Sequence, residues 1–537
     1  MHKLLKILLY ILAMCSMNIS YSQTNFQRTF GGVGEDNGGN CIQKTVDGNF
    51  IIIGLTASFG TINPNGFNFN NTYVIKVNSS GDTIWTKSYG SPNNIDNDNG
   101  LFITETLDSG FISTGYTSSF GAGKSDVYLI KTNNVGDTLW TKTYGGTEGD
   151  IGSSVHQTRD GGFIVCGGTS SFGAGKSDVY LIKTNNVGDT LWTKTYGGTD
   201  TESGKSLIID SDGGFVIIGN TWSFGTGSSD ALVLKTDSLG NVQWSKTYGG
   251  NSYEEMSSVY LTSDGGYLFA GESSSFGAGN EDILVFKTNS LGSLEWSKTY
   301  GNNDSDGCNI IKETDDGGIL IAGYSYSFGA GNRDAYLIKT NNIGDTLWTK
   351  SYGGTGSDNV NDFCEMEDGR FLVLGEASFF GLGSTDVYLF SIDSLGNSSC
   401  NQSYGTTIVG TPNIIESNPN INVSYGTIIG KTNFVTSTTN THDSLICEDC
   451  TKPIANFDFD LNNYDLIVFD SSQNVSLRLW DFGDSSSSNQ YSPTHIYTDT
   501  GSYKVCLTVY NDCGIDSTCR IIEVENIPTH IDRKNYL

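Results

Sequence analysis

A 52-residue repeat, short apolar or alternating runs between glycine-rich turns, and no segment with a helical 3.6-residue period predict an all-β fold. The expected architecture is a seven-bladed β-propeller of four-stranded blades, followed by a smaller β-sandwich. Trp85, Trp140, Trp192, Trp244, Trp296 and Trp348 mark the repeat, with one step of 55 and then four of 52. Each is followed by Thr/Ser-Lys and then Tyr-Gly. Phe30-Gly31 and Tyr404-Gly405 are variants of that last element, so eight such elements bracket seven repeats. The string at 119–146 returns letter for letter at 171–198.

Residues 143–195 show the plan of one repeat. "SSVHQT" closes in the turn "RDGG", and "FIVCGGTS" runs into the loop "SFGAGKSD". "VYLIKT" closes in "NNVGD", and "TLWTKTYG" is the fourth run. Four antiparallel strands at this period make a propeller blade, whereas a solenoid has shorter rungs and open ends. One outer strand is spare, because 25–31 and 401–405 both match the fourth run. One of them is expected to complete the last blade.

The 537 residues suffice for several domains and include 68 Gly but 7 Pro. A formal charge of −29 repels phosphate backbones, so nucleic acid is excluded as a partner. Lys3 and Lys6, the apolar "ILLYILAMCSM" and the small residues Ser20-Tyr21-Ser22 read as a secretory signal peptide over 1–22. Lipidation at Cys15 is the competing reading, and the bulky Met14 before it argues against it. No later apolar run has the roughly 18 residues of a spanning helix, so no transmembrane segment is expected. The mature chain is expected to be secreted or at the cell surface. The domains expected are the propeller over 23–405, a linker with some strand over 406–451, a sandwich over 452–526 and a tail over 527–537. In an oxidising compartment some of the ten mature cysteines should pair, and a disulfide reading of "CEDC" is preferred to a metal site. Oligomeric state is not readable from the sequence.

"GAGKSD" has the look of a phosphate-binding loop. The required first glycine, however, falls on Ser118 in one copy and Ser170 in the other. The next residues, "VYLIK", have a strand pattern, and four other repeats read "GTGSSD", "GAGNED", "GAGNRD" and "GLGSTD" without the lysine. The glycines and the aspartate persist, as a tight strand-to-strand loop requires.

That aspartate recurs as Asp126, Asp178, Asp230, Asp282, Asp334 and Asp386, with Asn71 in the first repeat. A second set of acids comes after the Tyr-Gly element: Asp36, Asp150, Glu202, Glu254, Asp306 and Asp358, with Asp96 and Asp98 as the candidates in the second repeat. In a four-stranded meander both loops lie on one face. The first reading is that each acid accepts backbone N–H bonds and fixes its own loop. The sharper reading is that the second set binds Ca²⁺ through oxygen ligands, although no stretch has EF-hand spacing. No cofactor other than Ca²⁺ is implied by these residues. Trp222 and Tyr326 replace a small residue before Ser-Phe-Gly, where an aromatic ring either stacks on a sugar or pads a neighbouring loop.

The repeats resemble the secreted bacterial β-propeller repeat family, on Trp140 to Gly146, Asp160-Gly161-Gly162, Gly168 to Gly173 and Asp178 to Lys183. The resemblance spans about residues 25–405 and implies a fold but no activity. After 452, Trp480-Asp481-Phe482-Gly483-Asp484, then Pro493, His495, Tyr497, Gly501, Tyr503 and Val505, resemble the PKD family of immunoglobulin-like extracellular sandwiches. Trp480 is expected in its core, with Asp481, Gly483 and Asp484 structural, and Cys506 and Cys519 lie on its last two strands, where a cross-link fits.

No catalytic constellation can be assembled. The mature chain has His156, His442, His495 and His530, and none has a nucleophile and acid at a recognisable spacing. The expectation is a non-enzyme: a secreted or surface binding and adhesion protein whose propeller loop face takes an extracellular glycan or protein. A purely structural surface component is the alternative, and a glycan-active hydrolase or lyase the more remote one.

Overall fold

The computed structural model describes residues 25–525, apart from 38, 60–68, 92–95, 379, 382, 404–406, 420, 425–428, 432–434, 439–441, 449–452, 476 and 512–513. The signal-peptide and tail expectations therefore lie outside the described residues. The chain is all-β. Seven five-stranded sheets precede a C-terminal pair of sheets of three and four strands.

Sheet three shows the rule. Asp150–Gln157, Phe163–Thr169, Asp178–Thr184 and Thr190–Gly197 pair in order, all antiparallel. Every repeat gives such a meander because its runs are β-branched or aromatic and its breaks are Asp-Gly and Asn-x-x-Gly turns. In the seventh sheet the fourth place is taken by Phe26–Gly31, which pairs with Asp386–Ile392. The N-terminal copy of the spare strand thus completes the last sheet.

The other copy does something the sequence did not announce. Gln402–Ser403 adds a fifth strand to sheet six. The chain then runs backwards through the sheets: Ile408–Gly410 on sheet five, Ile415–Ser417 on four, Asn422–Ser424 on three, Ile429–Lys431 on two, Val435–Thr438 on one and His442–Glu448 on seven. Within 406–451, expected as a linker with some strand, the described strands from Ile408 to Glu448 act as a strap that pairs with the outer strand of six sheets in turn. Its last strand covers the N-terminal one, so Phe26–Gly31 is hydrogen-bonded on both edges. A bare outer edge would be a template for unwanted pairing, and the strap covers it.

The first strand of each sheet lies against the first strands of both neighbours, and that of sheet one against that of sheet seven. The core sits between adjacent sheets. Ile164, Cys166 and Leu181 of sheet three, for example, pack with Leu207, Phe215 and Leu232 of sheet four.

The repeated residues couple each sheet to the next. Tyr144 Oη donates to the Gly188 carbonyl at 2.6 Å, and Tyr196, Tyr248, Tyr300 and Tyr352 repeat the contact one sheet on. The Trp140 ring lies against Gly188 and against Phe163, with ring centres 5.9 Å apart. This explains why Trp, Tyr-Gly and the Gly of "NNVGD" recur together.

In the C-terminal unit Trp480 is fully buried, meets Phe457 edge-on at 5.0 Å and donates its Nε1–H to the Gln490 carbonyl. Asp481 accepts from the Gly483 N–H. Asp484 bonds His495 at 2.7 Å. Cys506 and Cys519 form the expected disulfide. Cys400 is also disulfide-bonded. Cys41, Cys166, Cys308 and Cys364 are free and buried, and burial pushes the Cys364 thiol up to about 11. Among the described residues no helix is long and apolar enough to cross a membrane.

Candidate functional site

The loops between second and third strands and the connections between sheets share one face, the loop face. They are stitched by parallel bridges such as Ser125 to Gly149 and Ser177 to Thr201.

The "GAGKSD" loop explains itself here. The Ala122 and Gly123 N–H groups, which in a phosphate loop would face an anion, donate to the loop's own Asp126 at 2.9 and 3.1 Å. Asp178 does the same with Ala174 and Gly175. Asp230, Asp282, Asp334 and Asp386 accept from Gly227, Gly279, Gly331 and Gly383. Lys124 and Lys176 point outward and pair with Glu148 and Asp200.

The second set of acids is also turned inward. Asp150 accepts from the Gly146 N–H and Ser171 Oγ, Glu202 from Gly198 and Thr221, and Glu254 from Gly250 and Ser273. Asp306 accepts from Asn302 and Ser327, Asp358 from Gly354, and Asp36 from Gly32 and Ser58. In the second sheet Asp98 takes this place, bonded to the Ser91 N–H and Ser119 Oγ. Asp96 is exposed, and its backbone carbonyl accepts from Ser119 Oγ.

The two sets meet in pairs. A Cβ on Gly197 would collide with both Asp178 Oδ1 and Glu202 Oε2, and Gly145, Gly249 and Gly301 stand between the corresponding acids of their sheets. Burial, joined by the neighbouring acid, raises Asp126, Asp178 and Asp282, and brings Asp230 and Asp358 to about 6. Among the described residues no group of three or more His, Cys, Asp or Glu could hold a metal ion.

The repeat breaks elsewhere on this face, at the second residue of the first strand and the residue opposite it. In sheet five these are Glu255 and Glu272, a like-charged cross-strand pair. Such a pair is costly unless neighbours compensate it. Lys205 of sheet four reaches Glu255 at 3.1 Å, and Tyr253 Oη donates to it at 2.5 Å. Burial works to raise Glu255, but Tyr253 and Lys205 hold it below its ordinary value. Glu272 accepts from Tyr324 Oη at 2.6 Å, and burial raises it. Gly307, opposite Tyr324, leaves the room this contact needs. Arg333 lies over the Tyr324 ring at 5.3 Å and pairs with Glu376.

Two exposed aromatics flank this cluster. Trp222 is 39% exposed and leans on Tyr253, while Tyr326 is 49% exposed and meets Tyr324 edge-on. Trp222 and Tyr326 were legible in the sequence; Lys205, Glu255, Glu272, Tyr324 and Arg333 were not. The signal was there as two columns of the repeat that change type from sheet to sheet while their flanks do not.

Residues 451–525 match the family described as PKD domain. Over 195 residues, 33% of this chain and 20% of the relative, the chain is 28% identical to the regulatory protein FlaEY of Caulobacter vibrioides. Over 79 residues, 14% of this chain and 9% of the relative, it is 37% identical to the pre-pro-metalloprotease PrtV of Vibrio cholerae. The match thus spans a fifth or less of these curated relatives. Among solved structures, the PKD1 domain of Vibrio anguillarum Epp is similar at 31% identity, over 14% of this chain and 95% of that one, with a TM-score of 0.14. PorZ, a surface component of the type-IX secretion system of Porphyromonas gingivalis, is similar at 10% identity, over 93% of this chain and 60% of that one, with a TM-score of 0.38.

Proposed function

We propose that this is a non-catalytic binding protein of the cell exterior. The seven sheets are read as the blades of a propeller, with the PKD domain as a spacer. The cyclic contacts of the first strands and the N-terminal strand seated in the last sheet support the propeller reading. The PKD match supports an extracellular or surface role.

The ligand surface is placed at sheets four to six of the loop face. One observation carries this: the cross-strand pair Glu255 and Glu272, braced by Lys205 and Tyr324 and flanked by Trp222 and Tyr326. A frame element would recur in every sheet, and this cluster does not. Its ligand is read as an extracellular glycan or protein, because ring faces and hydrogen-bonding carboxylates serve both. The paired acids of the loop face are read as frame elements that fix their loops, since each accepts from backbone N–H or hydroxyl donors with at least one oxygen, while the second oxygens of Asp150, Asp178 and Asp358 are buried without a partner.

Panels of glycans and extracellular-matrix proteins test the proposal with the native chain and the Trp222→Ala/Tyr326→Ala variant. The variant should lose capture of whatever the native chain holds, at an unchanged melting temperature. Equal capture by both would remove the site, and no capture by the native chain would favour a purely structural role.

A further inference from the structure

The opposite face, where the "DGG" turns lie, has a break of its own. In most sheets the last residue of a first strand reaches back to cap the turn of the preceding sheet. Glu105 accepts from the Val46 N–H at 2.7 Å and Gln157 from Leu107 at 2.8 Å. Glu313 accepts from Ser263 at 2.7 Å and Glu365 from Asp315 at 2.9 Å. Sheets four and five have Ile209 and Leu261 at this position, so the polar bracket is missing there.

A cavity of about 850 Å³ opens at this place. That is within the range of small-molecule sites. Its walls include Ile208, Ile209, Tyr260, Leu261 and His156. The His156 ring lies tilted against Phe102 with centres 5.1 Å apart, and burial lowers it to about 4, so the imidazole is neutral at pH 7. Val46 and Leu107 also line the cavity, and they are 92% and 84% exposed. These two side chains extend the apolar lining of the concave site.

Arg159 lies on the same wall and also lines a second cavity of about 440 Å³ towards the rim. It donates to the Ser211 carbonyl. Among the described residues of 25–405, every other Lys or Arg meets a carboxylate or, for Lys194 and Lys350, a tryptophan ring. Arg159 meets neither. In a chain with 59 acids and 30 bases, that guanidinium is left available. The neighbouring Asp160 and Asp212 are held by Lys183 and Lys235, and Glu105 by the Val46 N–H.

We infer that this cavity is a second binding site, independent of the loop-face cluster, for a single-chain amphipathic carboxylate. The acyl chain lies against Ile208, Ile209 and Leu261, and the carboxylate meets Arg159.

Calorimetry with dodecanoate and with the alcohol of the same chain length tests this. The native chain should bind dodecanoate more tightly than the alcohol. Ile209→Gln/Leu261→Gln, which restores the bracket other sheets carry, should abolish binding of both while the circular dichroism spectrum keeps its native β signature, with some loss of melting temperature because both side chains also pack on the inter-sheet cores. Arg159→Gln, a change at an exposed position, should weaken dodecanoate about tenfold and leave the alcohol alone. No binding by the native chain would overturn the inference. So would equal binding by the bracket variant, or an identical loss for acid and alcohol in the arginine variant.

Discussion

The two faces of the same seven sheets carry repeated carboxylates and treat them in opposite ways. On the loop face they are buried beside one another and bonded to backbone N–H groups. Asp98, Asp126, Asp178, Asp230, Asp282, Asp306, Asp334 and Asp358 are all raised, with burial the leading cause in each. On the turn face the aspartate of the turn between first and second strands meets a lysine from the third strand in six of the seven sheets, and in the seventh Asp368 meets Arg370 instead. Asp47 pairs with Lys76, Asp108 with Lys131, Asp160 with Lys183, Asp264 with Lys287 and Asp316 with Lys339. These five are lowered, Asp264 and Asp316 to about 2. On the proposed reading the same residue type is a frame element on both faces, raised by burial on one and lowered by a lysine hydrogen bond on the other.

The largest effect expected from disturbing this contrast is steric. Gly197→Val puts a branched side chain between Asp178 and Glu202, both fixed by backbone N–H bonds. A loss of about 3 kcal/mol is expected in a denaturant melt. On the turn face, Lys235→Met removes contacts of 2.8 Å to Asp210 and 2.7 Å to Asp212. Asp210 also accepts from Tyr267 Oη and would be left nearly buried with its charge uncompensated. That variant should lose about 2 kcal/mol at neutral pH and less in acid, where the carboxylate is protonated.

Asp230→Asn should act in the other direction. Asn71 already occupies this place in sheet one, beside Gly90, so the amide fits. Removing a charge that is costly above about pH 6 should stabilise the chain by about 1 kcal/mol in mildly alkaline buffer and leave it unchanged near pH 4. The smallest effect belongs to Lys124→Ala. Its ion pair with Glu148 is solvent-exposed, so the melting temperature should not move, and ATP should not shift it in either protein. A shift with ATP would revive the nucleotide reading of "GAGKSD".

The period of 52 was enough to lay out the meanders, because Trp, Tyr-Gly and the turn glycines occur together only if each sheet clasps the next. Phe26–Gly31 was legible as a candidate last strand, but choosing it over 401–405 needed the register with Asp386–Ile392. The strap was not legible. Its strands on sheets one to six are two to four residues long and carry little alternation, because their pairing is by backbone. Asp98 could not be separated from Asp96 by counting, because an insertion precedes both. Glu255 and Glu272 lie 17 positions apart, and only the antiparallel register sets them side by side.

The central contrast predicts a definite dependence of stability on pH. Folding raises Asp230 and Asp358 from 3.8 to about 6, so the folded chain holds these protons more tightly than the unfolded one. Their contribution is complete below about pH 4 and is lost as pH rises through about 6, whereas the turn-face ion pairs weaken only as pH falls towards about 2. Thermal melting of the full chain from about pH 4 to about pH 8, with and without millimolar Ca²⁺, is the direct measurement. His156, lowered to about 4, works in the opposite sense below about pH 6.5, so the native chain is compared with Asp230→Asn/Asp358→Asn, which leaves the histidine unchanged. Relative to that variant the native melting temperature should fall as pH passes through about 6, to the same extent with and without the cation. A difference that is flat or rising over this range, or one that Ca²⁺ restores at the alkaline end, would contradict the reading of the loop-face acids as frame elements.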